Sequence, residues 1–297
     1  GITSHRPFAP HAPRSCIFEH VYFSRPDSIV DGQSVYTVRK AIGAELAREN
    51  PVDADLVIPV PDSGTPAAIG YAQESGIPFE LGIIRSHYVG RTFIQPGDRV
   101  RHLGVKLKHN ANRALIEGHK VVLIDDSIVR GTTMRDSIIK IVSRLKPKRI
   151  IIVSSAPQIR YPDCYGIDMS RMGEFVAFRA MEALLKKKGK AKLMKAAYKK
   201  ALEELKKPPS KQKNVVQELY AQFKYEEVSA MIAEIITPKD TKPQVDVIYQ
   251  TIEDLRQSCP NNNGDWYFSG NYPTPGGFRV VNKAFINYME GSDERAY

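Results

Sequence analysis

At 297 residues the chain is long enough for one large domain or two smaller ones, and it holds no run of 18 apolar residues, so it does not read as membrane-spanning. Three cysteines, Cys16, Cys164 and Cys259, form neither an even framework nor a Cys-x-x-Cys pair; that excludes a disulfide scaffold and fits a reducing cytoplasm. The net charge of +10 would suit a nucleic-acid binder only if it were spread over a folded face, and here it is not.

Residues 1–33 read as a linker and leading segment. Pro7, Pro10 and Pro13 keep its start extended, no apolar stretch resembles a secretory signal, and Gly1 stands where a Met would begin a chain, as in the interior of a longer polypeptide. Ser34 to Glu49 follows as a helix with Val35, Val38, Ile42 and Leu46 on one side. Leu56 to Val60 is a strand running into the turn-rich loop Pro61-Asp62-Ser63-Gly64-Thr65-Pro66, after which Ala67 to Glu74 restarts a helix and Phe79 to Ile84 forms the next strand. Arg85 to Gly118 has no clear period. So long a stretch inside a compact domain is usually a functional lid or disordered; Arg85, Arg91, Lys106 and Lys108 supply positive charge, and Gly90, Gly97 and Gly104 supply hinges.

Val121 to Asp125 is a short β-branched run of the kind buried in a sheet covered on both faces, and it ends on two adjacent carboxylates, Asp125 and Asp126. A small hydroxyl-rich loop, Ser127 to Thr133, leads into a helix whose Met134, Ile138, Ile141, Val142 and Leu145 share one face. Arg149 to Ser154 is a further strand. Strands alternating with helices imply right-handed crossovers and a parallel sheet flanked by helices, an α/β fold.

After Ser170, Phe175 to Lys188 and Lys192 to Leu205 look helical until Pro208-Pro209-Ser210 breaks the pattern; Val215 to Ile236 and Val245 to Arg256 also look helical, and Asn261 to Gly277 is a turn-rich end piece. Lys186 to Lys213 contains twelve lysines against two glutamates, leaving the rest of the chain balanced at 31 basic and 31 acidic residues. With one aromatic, Tyr198, and no arginine, this block reads as a solvated helix or mobile insertion, outside the chemistry. The resulting partition is 1–33 as the leading segment, 34–175 as the α/β domain, and 176–297 as a mostly helical extension with a Lys-rich insertion at 186–213.

Strand, acidic pair, Gly/Thr loop and helix together make a holder for a sugar phosphate. Backbone N–H groups at a helix start lack intrahelical partners and sit at the positive dipole end, where they attract a phosphate dianion. Hydroxyls of Ser127, Thr132 and Thr133 can donate to the same oxygens, while two carboxylates suit ribose hydroxyls or a divalent cation held through water. In an open parallel sheet ligands bind beyond the carboxyl ends of the strands, which brings the Asp62–Thr65, Arg85–Arg113 and Asp125–Thr133 loops together.

The run Asp125-Asp126-Ser127-Ile128-Val129-Arg130-Gly131-Thr132-Thr133 resembles the phosphoribosyl-pyrophosphate (PRPP) signature of type I phosphoribosyltransferases. Cys16 to Ser28 (CIFEHVYFSRPDS), Tyr88 to Gly97 (YVGRTFIQPG) and Tyr165 to Asp168 (YGID) narrow the likeness to the amidophosphoribosyltransferase family. The resemblance runs from about Arg14 to Ser170 and thins until Gly270-Asn271-Tyr272-Pro273. It implies transfer of an amino group from ammonia, normally drawn from glutamine, to C1 of PRPP with release of pyrophosphate. That is the first step of de novo purine biosynthesis.

By the same resemblance Asp62, Ser63, Gly64 and Thr65 cradle pyrophosphate, Asp125 through Thr133 hold the ribose 5-phosphate, and Arg85, Tyr88 and Lys108 position the substrate. Asp125 and Asp126 serve Mg2+, with Ser63 nearby, and Phe18, Tyr22 and Phe93 line a passage for ammonia. Two positions depart from the family pattern. Gly64 stands where some relatives have a hydroxyl residue near the metal, and Arg85-Ser86-His87-Tyr88 replaces a Lys-Asn-Arg-Tyr sequence, losing a permanent cation at His87. An N-terminal glutaminase domain opening on a catalytic cysteine is expected as a partner in the parent chain, and is not among these residues. Purine nucleotides as feedback inhibitors and a homo-oligomeric state are further implications; nucleic acid and membrane are not expected partners. Some relatives hold an iron–sulfur cluster on four cysteines, but three thiols fall short, so no cluster is expected. Two other classes share the fold: a non-catalytic PRPP-binding regulator, for which residues 1–33 are too short and proline-rich to carry a DNA-binding module, and a nucleobase salvage phosphoribosyltransferase, against which the Tyr88–Gly97 match speaks.

Overall fold

Four short runs rich in Val and Ile assemble into one parallel sheet. A computed structural model describes residues 3–10, 14–85, 109–164, 169–260, 262 and 264–297. The strands are β1 (Leu56–Pro59), β2 (Lys120–Asp125), β3 (Arg149–Ser154) and β4 (Gln244–Tyr249), in that spatial order and all parallel. Val57 pairs with Val122, Asp125 with Ser154, and Ser154 with Tyr249. Because successive side chains point to opposite faces, Val57, Val122, Ile124, Ile151 and Val153 enter one core, and Ile58, Val121, Leu123, Ile150 and Ile152 enter the other.

The first core is covered by α1 (Val35–Glu49) and α2 (Thr65–Ser75), which pack closely on one another. Ser34 caps α1 by accepting the Thr37 N–H. The second core is covered by a π-helical turn Met134–Ile138 running into α3 (Ile139–Ser143), by α4 (Val176–Lys187) and by α6 (Tyr225–Ile236). Between α4 and α6, α5 (Lys192–Lys206) lies against α8 (Pro275–Glu290), and α7 (Ile252–Ser258) rests on α1. Among the described residues no helix is long and apolar enough to cross a membrane.

Several sequence expectations are corrected here. The strand expected over Phe79–Ile84 does not join the sheet along its length: Phe79 makes an isolated bridge to Val57, and Ile83–Arg85 pairs antiparallel with His109–Ala111. The segment expected to lack structure from Arg85 to Gly118 therefore ends in a strand and a short helix, Arg113–Ile116. Val215–Ile236 is two helices, Gln217–Tyr220 and α6, with Glu227 accepting the Lys224 N–H to start the second. The helix expected over Val245–Arg256 is instead β4 followed by α7. Val245, Ile248, Ile252 and Leu255 happen to recur at helical spacing, but Val245, Val247 and Tyr249 also alternate, and pairing with β3 decides for the strand.

The Lys-rich block is no loose insertion. Met194, Ala197 and Ala201 are buried in the first core while the lysines point outward, so α5 is an amphipathic structural helix. From Cys16 on, the leading segment is likewise part of the body: Ile17, Phe18 and Val21 are buried around a π-helical turn, Glu19–Phe23, and Cys16 bridges to Gly264, whereas residues 3–10 are exposed. The turn-rich end piece buries Trp266, Tyr267 and Phe268 in a short helix, Trp266–Ser269.

Candidate functional site

The carboxyl ends of β1 and β2 lie side by side, and each runs into a loop that precedes a helix. After β2, Asp125 and Asp126 are pinned from behind: Ser155 N–H donates to the Asp125 carbonyl at 2.9 Å, Ala156 N–H to the Asp126 carbonyl at 2.8 Å, and Ser155 Oγ to the same oxygen at 3.1 Å. The Asp126 N–H donates to Asp125 Oδ1 at 3.0 Å, and Ser127 Oγ to Asp126 Oδ1 at 2.9 Å. From the other loop, Ser63 lines the same cavity as Asp126, and its hydroxyl lowers the Asp126 carboxyl. The two loops therefore meet on one cavity.

Burial pushes both acids up. Asp125 lies well above the usual carboxylate range because it is desolvated and faces the Asp126 charge; Asp126 is raised by burial, opposed by the Ser63 and Ser127 hydrogen bonds and by the positive charge of Arg39. Two hard oxygen donors held together without a full charge partner fit a divalent cation or a diol that restores what burial removed.

The loop 127–133 is braced from outside. Arg130 Nε and Nη2 bind Glu174 at 2.9 and 2.6 Å, Arg179 Nη2 donates to the Arg130 carbonyl at 2.5 Å, and Val176 N–H donates to the Val129 carbonyl at 2.8 Å. With its guanidinium engaged by Glu174, Arg130 contributes its backbone to the loop. Gly131 adopts φ +72°, and a Cβ there would come within 2.7 Å of Ile236 Cγ2, so the turn that aims the next amides requires glycine. Its helix then starts at Thr132.

The Asp62–Thr65 loop carries a cis peptide at Pro61–Asp62. Gly64 has an ordinary φ of −73°, but a Cβ would sit 2.3 Å from the Ile124 carbonyl oxygen. Close approach to β2, rather than backbone freedom, demands glycine there, and this explains why a hydroxyl residue is not accommodated. Arg85 Nη1 binds Asp62 Oδ2 at 2.5 Å, placing a cation over this loop.

A cavity of about 610 Å³ joins these parts, a size ordinary for small-molecule sites. Its floor is Ser63 and Asp125 through Met134; its wall is Phe18, Tyr22 and Phe23, with His109 and Met169 at the rim. Phe18 is buried in an aromatic cluster, 4.9 Å from the Phe23 ring and 5.4 Å from Tyr267, while Tyr22 is 52% exposed. Packing and lining are thus both true of Phe18. A second cavity, of about 690 Å³, runs along the outer edge of β4 beside α6 and shares no lining residue with the first.

Of the residues expected from sequence, the structure brings together Phe18, Tyr22, Ser63, Asp125, Asp126, Ser127, Ile128, Val129, Arg130, Gly131, Thr132 and Thr133 around one cavity, with Asp62, Gly64, Thr65 and Arg85 alongside. Tyr88, Phe93 and Lys108, with the rest of 86–108, lie outside the described residues. Sequence reasoning missed Arg39. Its signal was present: a charge four residues after Val35 and three before Ile42 falls inside the apolar stripe of α1. Cys16 and Cys259 are pushed up to about 11 and about 12 by burial, so neither is an activated nucleophile.

Residues 27–163 match the family described as phosphoribosyl transferase domain. The chain is 56% identical over 187 residues to the amidophosphoribosyltransferase of Rhizobium etli, covering 62% of this chain and 38% of that protein. It is 47% identical over 188 residues to the enzyme of the same name from Methanocaldococcus jannaschii, covering 61% and 40%. Among solved structures it resembles a glutamine PRPP amidotransferase from B. subtilis complexed with ADP and GMP, with a TM-score of 0.60, 34% identity, and coverage of 90% of this chain and 48% of that one. The chain spans less than half the length of these relatives. Over the matched residues it is a homologue of amidophosphoribosyltransferases and carries their type of phosphoribosyl transferase domain.

Proposed function

We propose that this chain, with its phosphoribosyl transferase domain, moves a phosphoribosyl group from PRPP to ammonia, forming 5-phosphoribosylamine and pyrophosphate, the opening step of purine biosynthesis. The observation that carries the reading is the meeting of both loops on one cavity, Ser63 from one and Asp125 to Thr133 from the other, beside a wall of aromatics. In the reaction the ammonia lone pair bonds to C1 of the ribose, the C1–O bond to pyrophosphate breaks, and pyrophosphate leaves with the electron pair; the added nitrogen then sheds a proton to solvent. Ammonia is already a nucleophile, so no protein nucleophile is required, and binding, orientation and exclusion of water carry the catalysis.

Asp125 and Asp126 take the ribose hydroxyls or hold Mg2+ through water, with Ser63 lining the same cavity; the buried pair fits such a group. When bound, Mg2+ neutralises the diphosphate leaving group. Amides of Ser127 to Thr133 at the helix start take the 5-phosphate. Asp62 to Thr65, with Arg85 above them, take the pyrophosphate, and Phe18 and Tyr22 with Phe93 exclude water along the route of ammonia. Tyr88 and Lys108 complete the positioning set. A glutaminase partner domain, feedback by purine nucleotides, a homo-oligomeric assembly and a cytoplasmic location belong to the same reading.

Pyrophosphate release from PRPP, with ammonium, glutamine or nucleobases offered separately, tests it. Ammonium salts should support release that grows as rising pH converts ammonium to ammonia, while glutamine supports none with this chain, whose Cys16 and Cys259 thiols are raised. Release driven by a base would identify a salvage enzyme. Tight PRPP binding with no release under any donor would identify a regulator.

A further inference from the structure

The phosphate loop is held from behind by residues outside the matched domain. Val176 N–H donates to the Val129 carbonyl at 2.8 Å, and Arg179 Nη2 donates to the Arg130 carbonyl at 2.5 Å. Glu174 takes the Arg130 side chain through Nε and Nη2 at 2.9 and 2.6 Å, and a Cβ on Gly131 would stand 3.4 Å from Val176 Cγ2. These three residues sit at and just before the start of α4, past residue 163, the last residue of the phosphoribosyl transferase match. Val129, Arg130 and Gly131 line the cavity, whereas Glu174, Val176 and Arg179 do not. The loop therefore has α4 behind it and the ligand space in front.

In a planar trans peptide the carbonyl and the N–H point opposite ways. The Val129 carbonyl shares its peptide with the Arg130 N–H, and the Arg130 carbonyl shares its peptide with the Gly131 N–H. Drawing both carbonyls back to α4 therefore turns two successive N–H groups forward, the concave arrangement of amides that takes an anion. We propose that Arg179 is a positioning residue for the 5-phosphate: by fixing the Arg130–Gly131 peptide it aims the Gly131 amide at the phosphate. This deepens the phosphoribosyl-transfer reading and rests on it. A charged donor also polarises the peptide whose oxygen accepts it, so the N–H at the other end of that peptide becomes a better donor. Val176 holds the neighbouring peptide through its backbone, which no side-chain substitution removes. The Glu174–Arg130 pair is largely solvent-exposed and contributes little by itself. Arg179 is thus the one support whose loss a mutation can read.

The test measures binding of ribose 5-phosphate and of magnesium pyrophosphate separately, by calorimetry, in the wild-type chain, Arg179→Met and Arg179→Lys. Ribose 5-phosphate reports the loop that Arg179 supports, and pyrophosphate reports the Asp62–Thr65 loop after the neighbouring strand. Arg179→Met, which keeps an unbranched side chain but has no donor, should weaken ribose 5-phosphate by about tenfold and pyrophosphate by less than about threefold. The KM for PRPP should rise about tenfold while kcat holds within about threefold. Arg179→Lys, which keeps a charged donor, should recover most of the loss. A general disturbance of the fold would weaken both ligands alike, so equal losses overturn the proposal. A folded Arg179→Met with wild-type affinity for ribose 5-phosphate overturns it too. Should Arg179→Met fail to fold, amide proton spectra of the wild-type chain decide: ribose 5-phosphate should move the Arg130 and Gly131 N–H resonances downfield, and resonances that stay in place overturn the proposal. Normal wild-type turnover without the split between ligands sinks only the role of Arg179. A clear split in a chain that releases no pyrophosphate from PRPP with ammonium sinks the transfer reading and upholds Arg179.

Discussion

Replacing Ala201 with aspartate should cost this protein a large part of its stability, although the residue sits in the most hydrophilic stretch of the chain. Ala201 is fully buried on the inner face of α5, beside Ala197 and Met194 and against α8. A carboxyl there cannot reach water, and burial raises such a group by up to 3–5 pH units. A rise of about 3, at about 1.4 kcal/mol per pH unit, costs about 4 kcal/mol at pH 7, and crowding adds about 1–3 kcal/mol. Against a typical total of roughly 5–15 kcal/mol this is close to unfolding. The sign with pH is fixed. A group raised in the folded state destabilises fully above its folded pKa, and the penalty fades as pH falls toward its unfolded value near ~3.9, leaving about 1 kcal/mol of the charge term at pH 4.5.

Urea denaturation followed by circular dichroism at pH 7 and pH 4.5 measures both quantities, with Lys195→Asp on the exposed face of the same helix as control, expected within about 0.5 kcal/mol of wild type. Equal midpoints for the two variants at pH 7, or an Ala201→Asp deficit that does not shrink in acid, would refute the placement of α5 in the core. For the same reason excision of 186–213 is not neutral: it strips a helix from α8.

Asp125→Asn should abolish most PRPP-dependent pyrophosphate release, by about 100-fold or more, because it removes a hard donor facing the cavity. It should also stabilise the free protein at neutral pH, since Asp125 is held well above the usual carboxylate range by burial and by Asp126; that gain should fade as pH falls into the ordinary carboxylate range. Loss of both activity and stability at pH 7 in denaturant titrations would contradict the burial argument. In a Cys164→Ser background, Cys16 and Cys259, raised to about 11 and about 12, should be about one part in a thousand or less thiolate at pH 8 and react far more slowly with a thiol reagent than in urea. Native reaction as fast as the unfolded rate would show that these thiols are not buried.

The sequence by itself determined the parts whose signal is local. Val121 to Asp125 reads as a buried strand, and the structure begins it one residue earlier, at Lys120; the helix expected from Ser34 begins at Val35, with Ser34 as its cap; the acidic pair and the Gly131 turn were legible because strand, loop and helix chemistry coincide in one short run. What the tertiary structure decided is everything that depends on a distant partner. Val245 to Tyr249 satisfies both the helical and the extended period, and only the open edge of β3 selects the strand. The lysine block looks dispensable by composition, yet its alanines and Met194 find α8 far along the chain. Gly64 reads from the sequence as one member of a turn-rich loop, but the Ile124 carbonyl across the sheet excludes any side chain there. Arg39 went unread in the sequence. Its meaning comes from the carbonyls of His20 and Ser24, which lie far from it in sequence and meet it because a buried guanidinium must be hydrogen-bonded somewhere.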